Sequence, residues 1–252
     1  MPTEHSNPVD LVRQLHLHLE SLQAAGVLFV PRSQLVLAPL RVAAKQASTP
    51  VEVPTQADPV EVRRRELDVL AQEVAACGKC SELFSTRLST VFGAGPLDAE
   101  VMFVGDAPGS DEDAQGEPFV GKGGQLLRRI IGACGFTAPQ TYLMNIIKCR
   151  PPRNRAPSTA ECVNCRDFFQ RQFELVRPKH VVALGEFTSR LLAQQNAKLS
   201  QLRNTVHQYR GVPLICTHHP DDIEDDKTNR LRGETWSDMK LLLATMGRAV
   251  PK

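Results

Sequence analysis

The clearest chemical signal in the sequence is a set of cysteines at metal-ligand spacing. Cys77 and Cys80 form a Cys-x-x-Cys pair, and Cys149 and Cys165 follow with 15 residues between them. Four thiolates of this kind suit a zinc ion or an iron–sulfur cluster, and the spacing alone does not separate the two. The alternative is a pair that packs in the core, because buried cysteine behaves as a small apolar residue.

Three further cysteines have other interpretations. Cys162 lies one helical turn before Cys165 and competes with it as a ligand. Cys134 and Cys216 stand in apolar stretches, which favours packing in the core.

A second signal is the acidic, glycine-rich and proline-rich stretch GDAPGSDEDAQGEPFVG at residues 105–121. Glycines and prolines at this density indicate a tight loop whose backbone can approach a ligand closely. One aromatic residue, Phe119, closes it. An ordinary core phenylalanine is the competing interpretation of that ring.

A third signal is the basic octapeptide KCRPPRNR at residues 148–155, which contains no acid. Its two prolines are expected to hold the backbone extended, so that the basic side chains point outward and contact phosphates. A solvated surface loop is the alternative. The basic residues are Lys148, Arg150, Arg153 and Arg155.

Alternating strands and helices must position these stretches. Strands are predicted at 100–105, 141–147, 180–184 and 212–217, and helices at 61–76, 122–134, 158–176, 186–195 and 233–246. Such alternation with apolar strands predicts a parallel sheet covered by helices on both faces. Ligands bind beyond the carboxyl ends of such strands. The acidic loop, the basic loop and the THHPDD segment at 217–222 all follow strands, so one site is expected there.

The amino-terminal quarter of the chain is organised differently. Leucines at helical spacing predict a helical extension over residues 1–45, and a proline-rich stretch over 46–60 predicts a flexible linker. The α/β domain is therefore expected over 61–252. The extension is expected to dock on the domain or to recruit a repair or replication partner.

Composition narrows the class of protein. A chain of 252 residues with 42% hydrophobic residues can bury one sizeable core. Its formal net charge of +2 is too small to indicate a nucleic-acid partner without local clustering. No apolar run is long enough for a membrane span and no signal peptide begins the chain, so a cytoplasmic location without membrane contact is predicted. In that compartment cysteines are expected to be free or metal-bound.

Four motifs together carry a family resemblance. GDAPGSDEDAQGEPFVG, NIIKCRPPRNRAP, ALGEF and THHP, in this order between Cys77 and Trp236, resemble the iron–sulfur-containing family 4 uracil-DNA glycosylases. The resemblance implies a three-layer α/β/α sandwich with a central four-stranded parallel sheet. It also implies a [4Fe–4S] cluster on Cys77, Cys80, Cys149 and Cys165. The implied activity is hydrolytic removal of uracil from DNA by a monomer associated with the nucleoid, leaving an abasic site.

The resemblance assigns roles around the base. Phe119 stacks on a uracil flipped out of the DNA, and the Asn145 carboxamide pairs with its O4 and N3–H. Glu112 lies near C5 and excludes the methyl group of thymine, with a solvated acidic turn as the competing account. Gly105 and Ala107 border the base through their backbone.

The resemblance also assigns the chemistry. His219 hydrogen-bonds uracil O2, where negative charge gathers as the glycosidic bond breaks. Asp106 orients water or stabilises the cationic sugar, with capping of its own loop as the alternative. The family's usual residue at this position is glutamate, so the carboxylate here is one methylene shorter. No lysine in these motifs is placed as a Schiff-base nucleophile, so no strand-cleaving activity is expected.

A second departure from the family pattern is the acidic run DDIEDD at 221–226, with five acids in six residues. Acids that face phosphates repel them. Either the run points away from DNA, with Ile223 or Leu231 as the wedge that enters the duplex, or single strands are the preferred substrate.

Two rival functions stay open at the level of sequence. The same fold could act on another deaminated base, or the protein could be a non-catalytic iron–sulfur DNA-binding protein. The joint presence of Asp106, Phe119, Asn145 and His219 argues against the second rival, because a binding protein does not need this set.

Overall fold

The computed structural model describes residues 58–251. The helical extension predicted over 1–45 and most of the predicted linker lie outside the described residues. The first described helix begins at Pro59, where Asp58 caps it by accepting a hydrogen bond from the Val60 amide.

A five-stranded sheet forms the centre of the domain, in the order β2-β1-β3-β5-β4. The first four strands of that order are parallel, which confirms the predicted four-stranded parallel sheet. The strands are β1 (Val101–Gly105), β2 (Thr141–Asn145), β3 (His180–Leu184), β4 (Val206–Tyr209) and β5 (Val212–Thr217).

Strand β4 was not predicted. It is antiparallel to β5 and joined to it by Arg210 and Gly211, both of which have positive φ. Positive φ at both central residues is the geometry of a tight two-residue hairpin turn. The strand is short and mostly exposed at the sheet edge, so it lacks the continuous apolar run that marks the other strands.

The predicted helices are confirmed with ends shifted by a few residues. Four short helices were not predicted. The helices are α1 (Pro59–Ala75), α2 (Ser81–Thr86), α3 (Ser110–Gln115), α4 (Lys122–Ala133), α5 (Thr159–Val176), α6 (Gly185–Ala193), α7 (Leu199–Leu202), α8 (Pro220–Asp225) and α9 (Arg230–Thr245). A capping box between Ser158 and Glu161 begins α5: Glu161 N donates to Ser158 Oγ, and Ser158 N donates to the Glu161 carboxylate.

Two hydrophobic cores lie on the two faces of the sheet, as the α/β/α sandwich requires. Side chains of β1 alternate between them: Val101 and Phe103 pack in one core, and Met102 and Val104 in the other. All four are fully buried. This burial on both faces explains why the strand reads as a continuous apolar run.

The parallel register brings strand ends together. Gly105, the last residue of β1, is the register partner of Asn145, the last residue of β2. Thr217, the last residue of β5, pairs with Leu184 at the end of β3. The loops that follow these strands therefore meet at one edge of the sheet. No helix within residues 58–251 is long and apolar enough to cross a lipid bilayer.

Candidate active site

A cavity of about 300 Å³ lies at the carboxyl ends of β1, β2 and β5. Its walls come from the acidic loop, from the end of β2 and from the segment after β5. The three stretches that the sequence singled out at this edge thus contribute to one cavity. The predicted residues on its walls are Ala107, Glu112, Phe119, Asn145 and His219.

Gly105 lies between Asn145 and Phe119, two residues on the wall of this cavity. A Cβ built on Gly105 would overlap the Asn145 Oδ1 atom and lie 2.9 Å from Phe119 Cζ. Asn145 is 2% exposed, and its Oδ1 has no hydrogen-bond partner among the described residues. Buried polar atoms in folded proteins are nearly always paired. An unpaired buried oxygen at a cavity wall is therefore suited to accept a hydrogen bond from a ligand.

Phe119 is held in an unusual backbone conformation. Its φ is +56°, which is rare for a bulky residue and costs free energy. A Cβ on Gly124, in the first turn of α4, would overlap the Phe119 carbonyl group. The bare Gly124 backbone therefore lets α4 begin directly beneath the aromatic residue and fix its ring against Gly105.

His219 stands between two carboxylates at the end of β5. Its Nε2 lies 3.9 Å from Asp106 Oδ1, and its Nδ1 lies 3.5 Å from Asp221 Oδ2. The backbone amide of Asp221 donates to Nδ1 at 3.3 Å. Because an amide can only donate, Nδ1 accepts, and the ring proton of neutral His219 is on Nε2. That proton faces Asp106 and the cavity.

Asp106 caps its own loop and also lies on a cavity wall. Its Oδ1 accepts a hydrogen bond of 2.8 Å from the amide of Ala107, so it caps its own loop. The same carboxylate lines a second cavity of about 260 Å³ that adjoins the first and also contains His219.

The acids of the first loop take different positions. Glu112 accepts hydrogen bonds of 2.9 Å from the amides of Val120 and Gly121, just before α4, and forms part of the cavity wall. Asp113 is buried and accepts from the amides of Leu88 and Ser89. Asp113 therefore stabilises the loop, whereas Glu112 lies on the cavity wall.

The four cysteines of the implied ligand set are neighbours. Burial raises the pKa of Cys149, Arg87 lowers it through a hydrogen bond of 3.0 Å to Sγ, and Cys77 and Cys80 raise it further. Burial raises the pKa of Cys165 to about 11, with Cys149 and Cys80 among the contributing charges. Cys162 also has Cys80 as a neighbour.

The arrangement of these cysteines differs from the site of a single metal ion. Among residues 58–251, no three histidine, cysteine or acidic side chains converge on one ion position. Of the four thiols, Cys149 and Cys165 are buried and Cys77 and Cys80 are half-buried. A cluster of four irons is several ångströms wide, so its ligands stand further apart than the ligands of one ion. The all-thiol donor set fits a cluster.

Comparison with known proteins places this geometry in a family. The family model described as "Uracil DNA glycosylase superfamily" matches residues 92–240, which include every wall of the cavity. The chain belongs to the uracil DNA glycosylase superfamily.

Three of its relatives in this superfamily are each named type-4 uracil-DNA glycosylase. The protein from Archaeoglobus fulgidus is 35% identical over 73% of this chain and 96% of its own length. The Thermotoga maritima protein is 33% identical over 71% of this chain and 93% of its own length. The Saccharolobus solfataricus protein is 41% identical over 61% of this chain and 75% of its own length.

Lys148 departs from its predicted role in phosphate binding. It is 1% exposed, and its Nζ donates to the carbonyl oxygens of Asn145 at 2.8 Å and Phe92 at 3.1 Å. Burial lowers its pKa to about 7. A side chain enclosed in this way cannot reach a DNA backbone, so Lys148 instead braces the strand end that carries Asn145.

The rest of the basic loop is also not extended. Pro152–Asn154 form a single turn in which Arg153 and Asn154 have positive φ. Arg153 is exposed, while Arg150 donates to Asn154 Oδ1 at 2.7 Å. Arg155 is committed to Glu161 and Glu82. Arg153 is therefore the basic residue of this loop most available to a phosphate.

Of the two candidate wedges, Ile223 is excluded by its burial. It is a residue of α8 and is 1% exposed, whereas Leu231 is half-buried. The sequence analysis also missed Asp221, whose side chain lines both cavities. Its position directly after the His-Pro pair was the available signal.

Proposed function

We propose that this protein hydrolyses the N-glycosidic bond of deoxyuridine in DNA, releasing uracil and leaving an abasic site. The observation that carries the proposal is the unpaired, buried Oδ1 of Asn145 beside the Phe119 ring, across the bare Cα of Gly105. Membership of the uracil DNA glycosylase superfamily and the names of its type-4 relatives support the same activity. The rival of a non-catalytic binding protein leaves that unpaired oxygen without a purpose.

Uracil is recognised by its shape and by its edge. Phe119 offers a ring on which a planar base stacks once it has left the duplex. Asn145 Oδ1 accepts from uracil N3–H, and its amide group donates to O4. Cytosine presents an amino group at that position and would oppose the amide donor. The pair therefore selects uracil over its parent base.

Thymine is excluded at the wall that Glu112 forms. Its carboxylate is fixed by the amides of Val120 and Gly121, so it cannot swing aside easily. A methyl group on C5 would have to displace that bonded side chain or desolvate it. Gly105 and Ala107 border the base on the opposite side through their backbone.

His219 and Asp106 act on the breaking bond. As the bond between C1′ and N1 breaks, its electron pair goes to uracil, and the Nε2–H of neutral His219 donates to the O2 atom where charge collects. The sugar becomes cationic, and Asp106 stabilises it and orients the water that adds to C1′. The Asp106 side chain is one methylene shorter than glutamate, and its bond to the Ala107 amide fixes its orientation.

Cys77, Cys80, Cys149 and Cys165 are the residues that would hold a [4Fe–4S] cluster. When bound, such a cluster supplies a rigid cross-link and not acid–base chemistry. In this chain it would tie α1, α2 and α5 to the basic loop. Arg153 and Arg150 then contact phosphates from a loop fixed at both ends. We further propose that the protein is a cytoplasmic monomer and that its amino-terminal extension recruits a repair partner.

The test is release of uracil from single-stranded and double-stranded oligonucleotides by anaerobically purified protein. Oligonucleotides with thymine, cytosine or hypoxanthine at the same position serve as controls, and Asp106→Ala is assayed in parallel. Release of uracil that falls in the variant supports the proposal. Absence of release from every substrate, by protein with intact iron content, would falsify it.

A further inference from the structure

Asp221 is a carboxylate of the active site for which the family resemblance gives no role. Its side chain is 70% exposed and lies in the open mouth of the site. The two adjoining cavities share some of their wall residues, and these shared residues mark the junction between the cavities. Within residues 58–251, Asp221 is the one carboxylate that lines both cavities. Glu112 lines the first cavity alone, and Asp106 lines the second alone.

The junction has a chemical meaning that rests on the proposed function. With uracil in the first cavity against Asn145 and Phe119, and with Asp106 in the second, the bond being broken lies between the two cavities. The deoxyribose C1′ is therefore nearest to the residues shared by both walls. Asp221 and His219 face each other there, with Asp221 Oδ2 3.5 Å from His219 Nδ1.

Gly123 makes room for the Asp221 carboxylate. A Cβ built on Gly123 would overlap Asp221 Oδ1 and would lie 2.9 Å from its Cγ and 3.0 Å from its backbone nitrogen. No side chain other than hydrogen at position 123 allows the carboxylate to occupy this place. Residues from two separate loops are thus matched in shape to seat one negative charge.

That charge is unfavourable before the reaction. Partial desolvation raises the pKa of Asp221, and the carboxylates of Glu112, Asp222 and Asp106 raise it further, whereas only the protonated form of His219 lowers it. A carboxylate held against like charges gains most when positive charge appears beside it. Such a group stabilises the transition state more than the ground state, which is the condition for catalysis.

We propose that Asp221 is a second catalytic carboxylate, placed by Gly123 beside the sugar so that it stabilises the cation formed as uracil leaves. It acts together with Asp106, which lies on the opposite side of the His219 ring, near Nε2. No additional reactant is needed, because water supplies the hydroxyl group that C1′ gains and the departing base takes up a proton.

Asp221→Asn tests the proposal because it keeps the shape and removes the charge. A negative group near the DNA backbone also repels phosphates. Removal of the charge is therefore expected to lower the rate of uracil release without weakening the affinity for DNA. We expect the single-turnover rate of uracil release to fall about tenfold or more, because the variant loses the charge that stabilises the developing cation. A tenfold fall corresponds to ~1.4 kcal/mol of transition-state stabilisation. Affinity for a uracil-free oligonucleotide is expected to stay equal or to increase.

Asp225→Asn is the matched control. It removes one charge from the same helix at an exposed position that lines neither cavity, so its rate should stay within about twofold of the unmodified protein. Gly123→Ala supplies an independent displacement of the carboxylate. It should slow the unmodified protein but have little further effect in the Asp221→Asn background.

The outcomes separate the two proposals. If the unmodified protein releases no uracil, the proposed function fails first. If it releases uracil and Asp221→Asn does so at an equal rate, only the role of Asp221 is overturned. A fall in rate accompanied by weaker binding and a lower melting temperature also overturns it, because that pattern indicates a structural contribution alone.

Discussion

Gly105 and Asn145 are register partners at the ends of two neighbouring parallel strands, and the Asn145 carboxamide oxygen occupies the space that a Cβ on Gly105 would need. This relationship gives the base pocket its depth. It also makes the pocket sensitive to a single methyl group at position 105.

Gly105→Ala should abolish most activity without unfolding the protein. The added methyl would press on Asn145 and on the Phe119 ring, and a displacement of about 1 Å in such groups costs about 100-fold in rate. Gly132→Ala is the matched control, because a Cβ there meets nothing within 4 Å in a helix that alanine favours. Single-turnover kinetics and thermal melting of both variants check this. Equal activity in the two alanine variants would contradict the pocket assignment.

Asn145→Ala should slow uracil release by about 100-fold, comparable to the loss of one preorganised hydrogen-bonding group at a reacting centre. Affinity for undamaged DNA should change little, because the lost contacts are to the base and not to phosphate. The rate is measured on a uracil oligonucleotide and the dissociation constant on its uracil-free counterpart. Parallel losses in both measurements would argue against base reading by Asn145.

Lys148 and Arg153 should respond to substitution in opposite ways. Lys148→Met removes the Lys148 hydrogen bond to the Asn145 carbonyl oxygen and one of the two side-chain hydrogen bonds to the Phe92 carbonyl oxygen, which keeps its bond from Gln172, and should lower the free energy of unfolding by about 2 kcal/mol. Arg153→Ala should leave stability unchanged, weaken DNA binding and reduce the salt slope of binding by about 1. Chemical denaturation and binding titrations at several salt concentrations distinguish them. A reduced salt slope for Lys148→Met would restore it as a phosphate contact.

The ion pair between Arg155 and Glu161 should make stability depend on pH. Arg155 lowers the pKa of Glu161 from 4.5 to about 2, so the ionised carboxylate stabilises the folded state above about pH 4.5. This contribution is lost as pH falls from about 4.5 towards about 2. Glu161→Gln keeps the capping box but removes the charge, and should cost about 2 kcal/mol at pH 7. Unfolding measured from pH 7 to pH 3 should show the difference shrinking, and a constant difference would exclude the ion pair as its source.

The proposed cluster ligands are tested by conservative substitution of cysteine. Cys149→Ser should lose iron and the broad visible absorbance of a cluster, because serine does not replace a thiolate in such a site. Cys162→Ser should retain both. Iron and sulfide content after anaerobic purification provides the measurement. Loss of iron in Cys162→Ser with retention in Cys165→Ser would reverse their assignment.

The parallel sheet, its flanking helices and the loops that form the site could all be predicted from the amino-acid sequence. Burial on both faces forces each central strand to be apolar throughout, and the Ser158–Glu161 box reports a helix start through purely local hydrogen bonds. The type and order of the active-site residues are equally local, because they lie in short motifs. The short edge strand β4 was not predicted. It pairs with β5 alone and most of its four residues are exposed, so its sequence lacks the apolar pattern of a buried strand.

The environment of each charged side chain, in contrast, became apparent only in the folded domain. Lys148 and Arg153 are near neighbours in a basic octapeptide, yet one is enclosed between two carbonyl oxygens and the other is exposed. Asp221 and Gly123 are distant in sequence, and no local pattern shows that one fills the space left by the other. Burial and contacts between loops depend on chain segments that are far apart in sequence. The environment of a charged side chain therefore cannot be read from its neighbours in the sequence.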